Sequence, residues 1–279
     1  MKIGIIGGGF CGSATALFAS EKNTIKIFDI DPAKCSPGVT QLQDLSDCDF
    51  VMICVNTPMV ETTGECYTKI VETVIENCRA TLPPSTIIVV RSTVPVGFSQ
   101  RMKTVAFCEY LTEANWKQDV LNSKEWIVGI DESEDKANIQ AKFEEMFTNV
   151  FPHIPRSYIS TQECEMIKYM RNCFLATKVS FCNEMEAFCR AKQISYDTVR
   201  EYATHDARIG TSHTLVPGPD GKRGFSLSCF PKDTASLRFQ MKSVNVDTSI
   251  LSAVIYRNNT IDRPDQDWKL DVGRAIVKQ

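Results

Sequence analysis

The sequence predicts an α/β protein: a doubly wound parallel sheet in the first half, followed by an all-helical region. Three observations predict it. Short apolar stretches alternate with helical ones up to about residue 158, the pattern of a parallel sheet covered on both faces. The first apolar stretch runs straight into Gly7-Gly8-Gly9-Phe10-Cys11-Gly12. Past residue 159 the strand pattern stops and a long helical period takes over.

Lys2-Ile3-Gly4-Ile5-Ile6 reads as a short buried strand, and an alanine-rich helix follows over about 10–19. Residues 24–28 form a second strand that ends at Asp29, and residues 49–55 a third. A helix over about 67–80 leads to a strand at 85–90. Residues 126–130 close the series, before a charged helix that starts at Glu134 and runs to about 146. These elements make a first domain, 1–158. A long helix then covers about 160–192, where Met166, Met170, Cys173, Phe174, Thr177 and Phe181 recur at helical spacing. A shorter helix covers 196–202. Residues 205–228 hold Gly210, Pro217, Gly218, Pro219, Gly221 and Gly224 and read as a long loop, which is usually functional or disordered. Pro231 fits the first position of a helix running to about 240. A last helix covers 249–258. The result is a helical central domain over 159–258 and a short polar tail over 259–279.

Composition narrows the function. The chain has 279 residues, 43% hydrophobic and 23% charged, as in an ordinary globular protein. A net charge of -3 gives no electrostatic case for nucleic acid or an anionic membrane. No apolar run reaches membrane-spanning length, and the N-terminus is a strand, not a signal peptide. None of the 12 cysteines forms a Cys-x-x-Cys pair, so no metal site is expected. Most of them read as small buried hydrophobes in a reducing, cytoplasmic setting.

The glycine stretch has the right context for a dinucleotide: a strand before it and a helix after it. Glycines let the backbone turn tightly and approach a pyrophosphate, and the helix N-terminus offers free N–H groups. Asp29, at the tip of the second strand, can accept from both ribose hydroxyls and repels a 2′-phosphate, which favours NAD. The first domain is therefore expected to be a Rossmann domain. Val55-Asn56-Thr57-Pro58 and Arg91-Ser92-Thr93-Val94-Pro95-Val96-Gly97 leave strand ends on the same side of the sheet, where ligands of such sheets bind. The plainer alternative is a glycine-rich turn and two proline-ended loops.

Cys229, in Arg223-Gly224-Phe225-Ser226-Leu227-Ser228-Cys229-Phe230-Pro231-Lys232-Asp233, stands where a helix begins. A helix N-terminus lowers a thiol pKa, and Asp233 lies one turn on. Together these stretches suggest a nicotinamide cofactor coupled to a covalent thiol intermediate. A buried structural cysteine is the plainer alternative.

These residues carry a resemblance. The chain resembles the UDP-glucose 6-dehydrogenases, within the UDP-glucose/GDP-mannose dehydrogenase family. The resemblance rests on the glycine cradle, Cys54-Val55-Asn56-Thr57-Pro58, Ser92-Thr93-Val94-Pro95-Val96-Gly97, Glu109-Tyr110-Leu111-Thr112-Glu113, Lys168 with Asn172, Arg208-Ile209-Gly210, and Cys229-Phe230-Pro231-Lys232-Asp233, in the family's order over about 1–258. It implies oxidation of a nucleotide sugar, UDP-glucose to UDP-glucuronate, through a thiohemiacetal and a thioester on Cys229. It implies that Asp233 helps hold a catalytic water, that Lys168 stabilises the developing oxyanion, and that Asn172 orients the sugar. Glu109 becomes the general base or water activator, with Thr93 polarising the same water. The implied cofactor set is Gly7, Gly9, Phe10, Cys11, Gly12, Asp29, Lys34, Val55, Thr57, Pro58, Ser92, Thr93 and Glu113. Tyr110, Leu111 and Phe225 join Glu109, Lys168, Asn172 and Cys229 against the substrate. Arg208 matches a residue that reaches a neighbouring subunit's site and binds the sugar or its product carboxylate there, so a homodimer through the helical domain is implied.

Two departures bear on this. Ser226-Leu227 stands where the family usually has two glycines, so the loop is expected to be reshaped or activity lowered. Family members also continue into a second nucleotide-binding domain, and the sequence past the last helix is too short for one, so a short form is expected. Two readings stay open beside oxidation of UDP-glucose. One is the same chemistry on another sugar nucleotide such as GDP-mannose, which Val216-Pro217-Gly218-Pro219-Asp220-Gly221 weakly disfavours. The other is a non-catalytic NAD-binding relic or assembly protein.

Overall fold

The structure, a computed structural model, describes residues 1–133 and 135–278. The expected helix start at Glu134 and the end of the tail at Gln279 lie outside the described residues. Two compact units make up the chain. The first is Met1–Thr57 with Thr68–Lys168; the second is Pro58–Tyr67 with the chain from Tyr169 on. A cut at 158 would fall inside the last strand of the first unit's sheet.

In chain order the elements are β1 (Lys2–Ile6), α1 (Phe10–Thr15), β2 (Thr24–Phe28), β3 (Phe50–Ile53) and β4 (Met59–Val60). Next come α2 (Lys69–Thr81), β5 (Ile87–Val90), α3 (Phe98–Met102), β6 (Val105–Ala106) and α4 (Trp116–Leu121). Then follow β7 (Trp126–Gly129), α5 (Lys136–Thr148), β8 (Arg156–Ile159) and the long α6 (Thr161–Ala191), whose residues are shared between the units. The last are α7 (Tyr196–Ala203), α8 (Cys229–Ser243), α9 (Ser249–Arg257) and β9 (Ile276–Val277).

The first unit is a seven-stranded sheet in the order β2-β1-β3-β5-β6-β7-β8. All its pairings are parallel except β6 with β7. β1 lies between β2 and β3, so the winding reverses there and opens a crevice at the carboxyl ends of β1 and β3. All four residues of β3 are buried, as expected where helices cover both faces. Phe18, Phe107, Trp126, Phe143 and Phe147 fill one side of the core, with Trp126 and Phe147 stacked at 5.7 Å.

The series of strands does not close at Trp126–Gly129. β8 adds an edge strand, Arg156-Ser157-Tyr158-Ile159, all half-buried, so it carries no apolar run to betray it. β6 has only two residues.

In the second unit Tyr169 and Cys173 of α6 pack with Leu237 of α8 and Leu251 of α9. The tail is not a polar appendage. Trp268, Ala275 and Ile276 are buried against Met59 and Ala235, and β9 pairs in parallel with β4. Three scattered apolar residues make no period, which hid this packing from the sequence.

The exposed and buried faces of α6 also reverse the expected pattern. Of the spaced apolar residues only Cys173 is fully buried, whereas Met170, Phe174 and Phe181 are 66%, 65% and 60% exposed. Glu165, Lys168 and Asn172 are buried instead.

Candidate active site

The cradle follows β1 as expected. Gly7 has φ +102°, and a Cβ there would lie 2.7 Å from the Cys54 carbonyl oxygen. At Gly12 a Cβ would fall 1.9 Å from the Gly7 oxygen, while at Gly9 it would meet nothing within 4 Å. The outer glycines are thus required by close packing, and the middle one leaves backbone open to a ligand. Phe10 and Cys11 begin α1, and the Cys11 thiol is pushed well up by its contact with Cys54 and by burial. Asp29 accepts from the Gly8 N–H at 2.6 Å and the Asp31 N–H at 2.8 Å, so it braces the loop it was expected to complement. Lys34 is half exposed, 3.4 Å from Asp31.

At the next strand ends Thr57 is buried and Val55 half-buried; Pro58 is the first residue of the second unit. Ser92 donates to the Val55 carbonyl at 2.7 Å, and Thr93 is buried beside it. These groups suit NAD: a glycine backbone for the pyrophosphate, a carboxylate at the ribose position, and hydroxyls at the strand ends.

Glu109 follows β6 and is 6% exposed. Its Oε1 accepts from Lys168 Nζ at 2.6 Å and its Oε2 from the Leu111 N–H at 2.8 Å. Burial alone would raise this carboxyl, but Lys168, the Leu111 amide and the Arg91 guanidinium hold it below the usual range. Arg91 itself is buried, 4.1 Å above the Phe107 ring. Tyr110 donates to the Cys164 carbonyl, and Glu113 opens a short 3-10 turn, half-buried.

In the second unit α8 begins at Cys229, two residues earlier than Pro231 suggested. Pro231 occupies the third helical position, where the amide has no intrahelical acceptor and proline costs little. Cys229 is half-buried, and its Sγ lies 3.9 Å from Ser228 Oγ. One turn on, Asp233 is 1% exposed and held at both oxygens. Asn172 donates to Oδ2 and Lys232 to Oδ1, both at 2.6 Å. Burial works against the Lys232 charge, but Asp233 leaves its pKa above that of an ordinary lysine. Lys168 and Asn172, one turn apart on α6, therefore serve two different carboxylates.

Arg208 is exposed and forks onto Asp206 at 3.0 and 2.6 Å. Phe225 is buried with Ala176 and Val254 and held by Asn258 through both its N–H and its carbonyl. Its ring is therefore part of the core. Ser226-Leu227 was expected to reshape the loop or lower activity; here Leu227 takes φ +60°, 66% exposed, and Ser226 donates to Asp267.

Sequence reasoning passed over Lys232 and Glu165. Lys232 sits inside the Cys229 motif, three residues from the thiol, and Glu165 lies three residues before Lys168; helical spacing was the available signal. No group of His, Cys, Asp and Glu among the described residues could hold a metal ion.

A glycine-cradled α/β unit joined to a helical one is the build of an NAD-dependent dehydrogenase. The chain belongs to the UDP-glucose/GDP-mannose dehydrogenase family: the model of that family's NAD binding domain matches residues 38–150 and the model of its central domain residues 162–260. It is similar to the putative UDP-glucose 6-dehydrogenase YtcA of Bacillus subtilis, 28% identical over 302 residues that cover 93% of this chain and 68% of that protein. The UDP-glucose 6-dehydrogenase of Pseudomonas aeruginosa is also 28% identical, over 92% of this chain and 65% of its own length. A solved UDP-glucose dehydrogenase from the hyperthermophilic archaeon Pyrobaculum islandicum has a TM-score of 0.79 at 22% identity, over 93% of this chain and 68% of that one, a likeness of fold. The chain thus spans about two thirds of the length of these relatives.

Proposed function

We propose that the protein oxidises the hydroxymethyl group of a nucleotide sugar, UDP-glucose first among them, to a carboxylate, with Cys229 as covalent nucleophile. One observation carries the reading: Cys229 opens α8, and Asp233 is fixed one turn on by Asn172 and Lys232. As the first residue of α8, Cys229 lies beside backbone N–H groups that have no intrahelical acceptor. The names of the relatives favour UDP-glucose.

In this reading the cradle of Gly7, Gly9 and Gly12, with Asp29, holds NAD. Each of the two oxidations would pass one hydride to one NAD held there, so two NAD would be reduced per sugar. The Cys229 thiolate adds to the aldehyde, giving a thiohemiacetal; after the second oxidation the acid is held as a thioester, and water releases it. Asp233, locked by its two donors, is a fixed acceptor that aims the hydrolytic water. Lys168 supplies the positive charge for the developing oxyanion. Glu109, held ionised, anchors Lys168 and accepts from water together with Thr93. Asn172 orients the sugar and, by its bond to Asp233, also fixes that carboxylate; Tyr110 and Leu111 line the substrate.

The same reading makes the protein a homodimer. Met170, Phe174, Phe181 and Phe188 are exposed along one side of α6, an apolar stripe suited to a second copy. Arg208, exposed and preset by Asp206, would serve the partner's site. We also assign it to the cytoplasm, because all twelve cysteines are free thiols. No helix among the described residues is long and apolar enough to cross a membrane.

The purified protein, given NAD and UDP-glucose, should make two NADH per sugar, and Cys229→Ser should make no acid. NADH from GDP-mannose alone would transfer the reading to that sugar. No NADH from either, with NAD still bound, would overturn it.

A further inference from the structure

We infer that Glu165 is a positioning residue for this reaction: its buried carboxylate fixes the Ser92–Gly97 loop and thereby sets Thr93. The inference rests on the function proposed above, in which Thr93 holds water.

Glu165 lies in the second turn of α6 and is 1% exposed. Its Oε2 accepts from the Gly97 N–H at 2.6 Å and its Oε1 from the Ser99 N–H at 2.8 Å. Gly97 has φ +89°, the left-handed turn that starts α3 and that a residue with a side chain adopts only with strain. The other end of the loop is tied to β3. The amides of Arg91 and Ser92 donate to the Ile53 carbonyl at 2.9 and 3.1 Å, and Ser92 Oγ donates to the Val55 carbonyl. Thr93 therefore hangs between two anchors, one on the sheet and one on α6.

The charge balance points the same way. Lys168, one turn along, gives Glu109 its counter-ion, but no ion pair to Glu165 occurs among the described residues. A buried carboxylate without a cation is costly; burial pushes the Glu165 carboxyl above its usual range, and the two amide donors offset that only in part. A packed apolar residue would fill the space more cheaply but could not hold both amides at once. Neither of these two donors lies in the regular part of a sheet or within a helix ladder, so removing the carboxylate leaves both without their acceptor.

The test is a double-mutant cycle between Glu165 and Thr93, read as kcat and KM. Glu165→Ala should lower kcat about ten- to a hundredfold, with KM for the sugar changed much less. Glu165→Gln should lower kcat less, because its amide oxygen still accepts from one N–H. Adding Thr93→Ala to Glu165→Ala should cost little beyond either change alone, since both act on one group. Losses that multiply, or a Glu165→Ala protein with native kcat, would overturn the inference. Amide exchange is read in parallel, because it needs no turnover. Exchange should quicken at residues 92–99 in Glu165→Gln while β1 and β3 keep their protection; unchanged exchange there would also overturn it. If the native protein made no NADH but the loop responded, the proposed function would fall and the anchoring of the loop would stand.

Discussion

One face of α6 buries Glu165, Lys168 and Asn172, while the opposite face leaves Met170, Phe174 and Phe181 in solvent. A helix that only filled a core would do the reverse. Burying charge costs free energy unless the charge is paired, and each buried group on this face has a partner: the Gly97 and Ser99 amides, Glu109, and Asp233. Exposed large apolar residues in a row mark a surface made for contact. The contrast teaches that the two faces have separate tasks. The inner face holds buried polar groups in place in each unit, and the outer face leaves apolar side chains in solvent, where the proposed homodimer would form.

Breaking the inner face should have the largest effect. Lys168→Met leaves Glu109 buried without its cation and should destabilise the fold by about 3–5 kcal/mol at neutral pH, measured by urea unfolding. The sign with pH follows. In the native protein Glu109 is held below its usual 4.5, so its contribution is full above that pH and is lost as pH falls through the lowered value. Without Lys168 only the Leu111 amide and Arg91 are left to oppose burial, the carboxyl rises, and the variant gains relative stability as the pH falls through that raised value. The gap between the two proteins should therefore narrow on acidification; a constant gap would mean the pair is not what Lys168 contributes.

The loop before Cys229 sharpens the contrast at a smaller scale. Leu227 holds φ +60° with an exposed side chain, so its strain is not offset by burial. Leu227→Gly should stabilise the protein by about 0.5–1 kcal/mol, the left-handed penalty less the greater freedom of glycine in the unfolded chain. A loss of stability would mean that the Leu227 side chain supplies packing on the loop.

Changing the outer face should matter least to a single chain. Phe174→Ser with Phe181→Ser should alter the unfolding of dilute protein by no more than about 0.5 kcal/mol. The same pair should abolish self-association in sedimentation, with a melting temperature no longer dependent on concentration. Unchanged association, or no association in the native protein, would contradict the proposed homodimer through this face.

What the sequence reveals here follows the range of each interaction. The cradle was legible because strand, glycines, helix and Asp29 lie within thirty residues, each with its own local signature. The helix start beside Cys229, with Asp233 one turn on, was legible for the same reason. The Glu109–Lys168 pair joins residues 59 apart, and no local pattern encodes it. The inversion of α6 was hidden because spacing gives the period of a helix but not which stripe faces inward. β4 and β9 are two residues each and far apart in the chain, so neither announces its partner.

The central claim is that Cys229 carries the substrate as a thioester. The most direct measurement is the intact mass of protein mixed with NAD and UDP-glucose and quenched in acid within the first turnover. An adduct of the mass of the nucleotide-sugar acyl group, mapped to the Cys229 peptide and absent from Cys229→Ser, is the predicted result. Turnover with no adduct at any time, and a Cys229→Ser protein that still makes the acid, would contradict it.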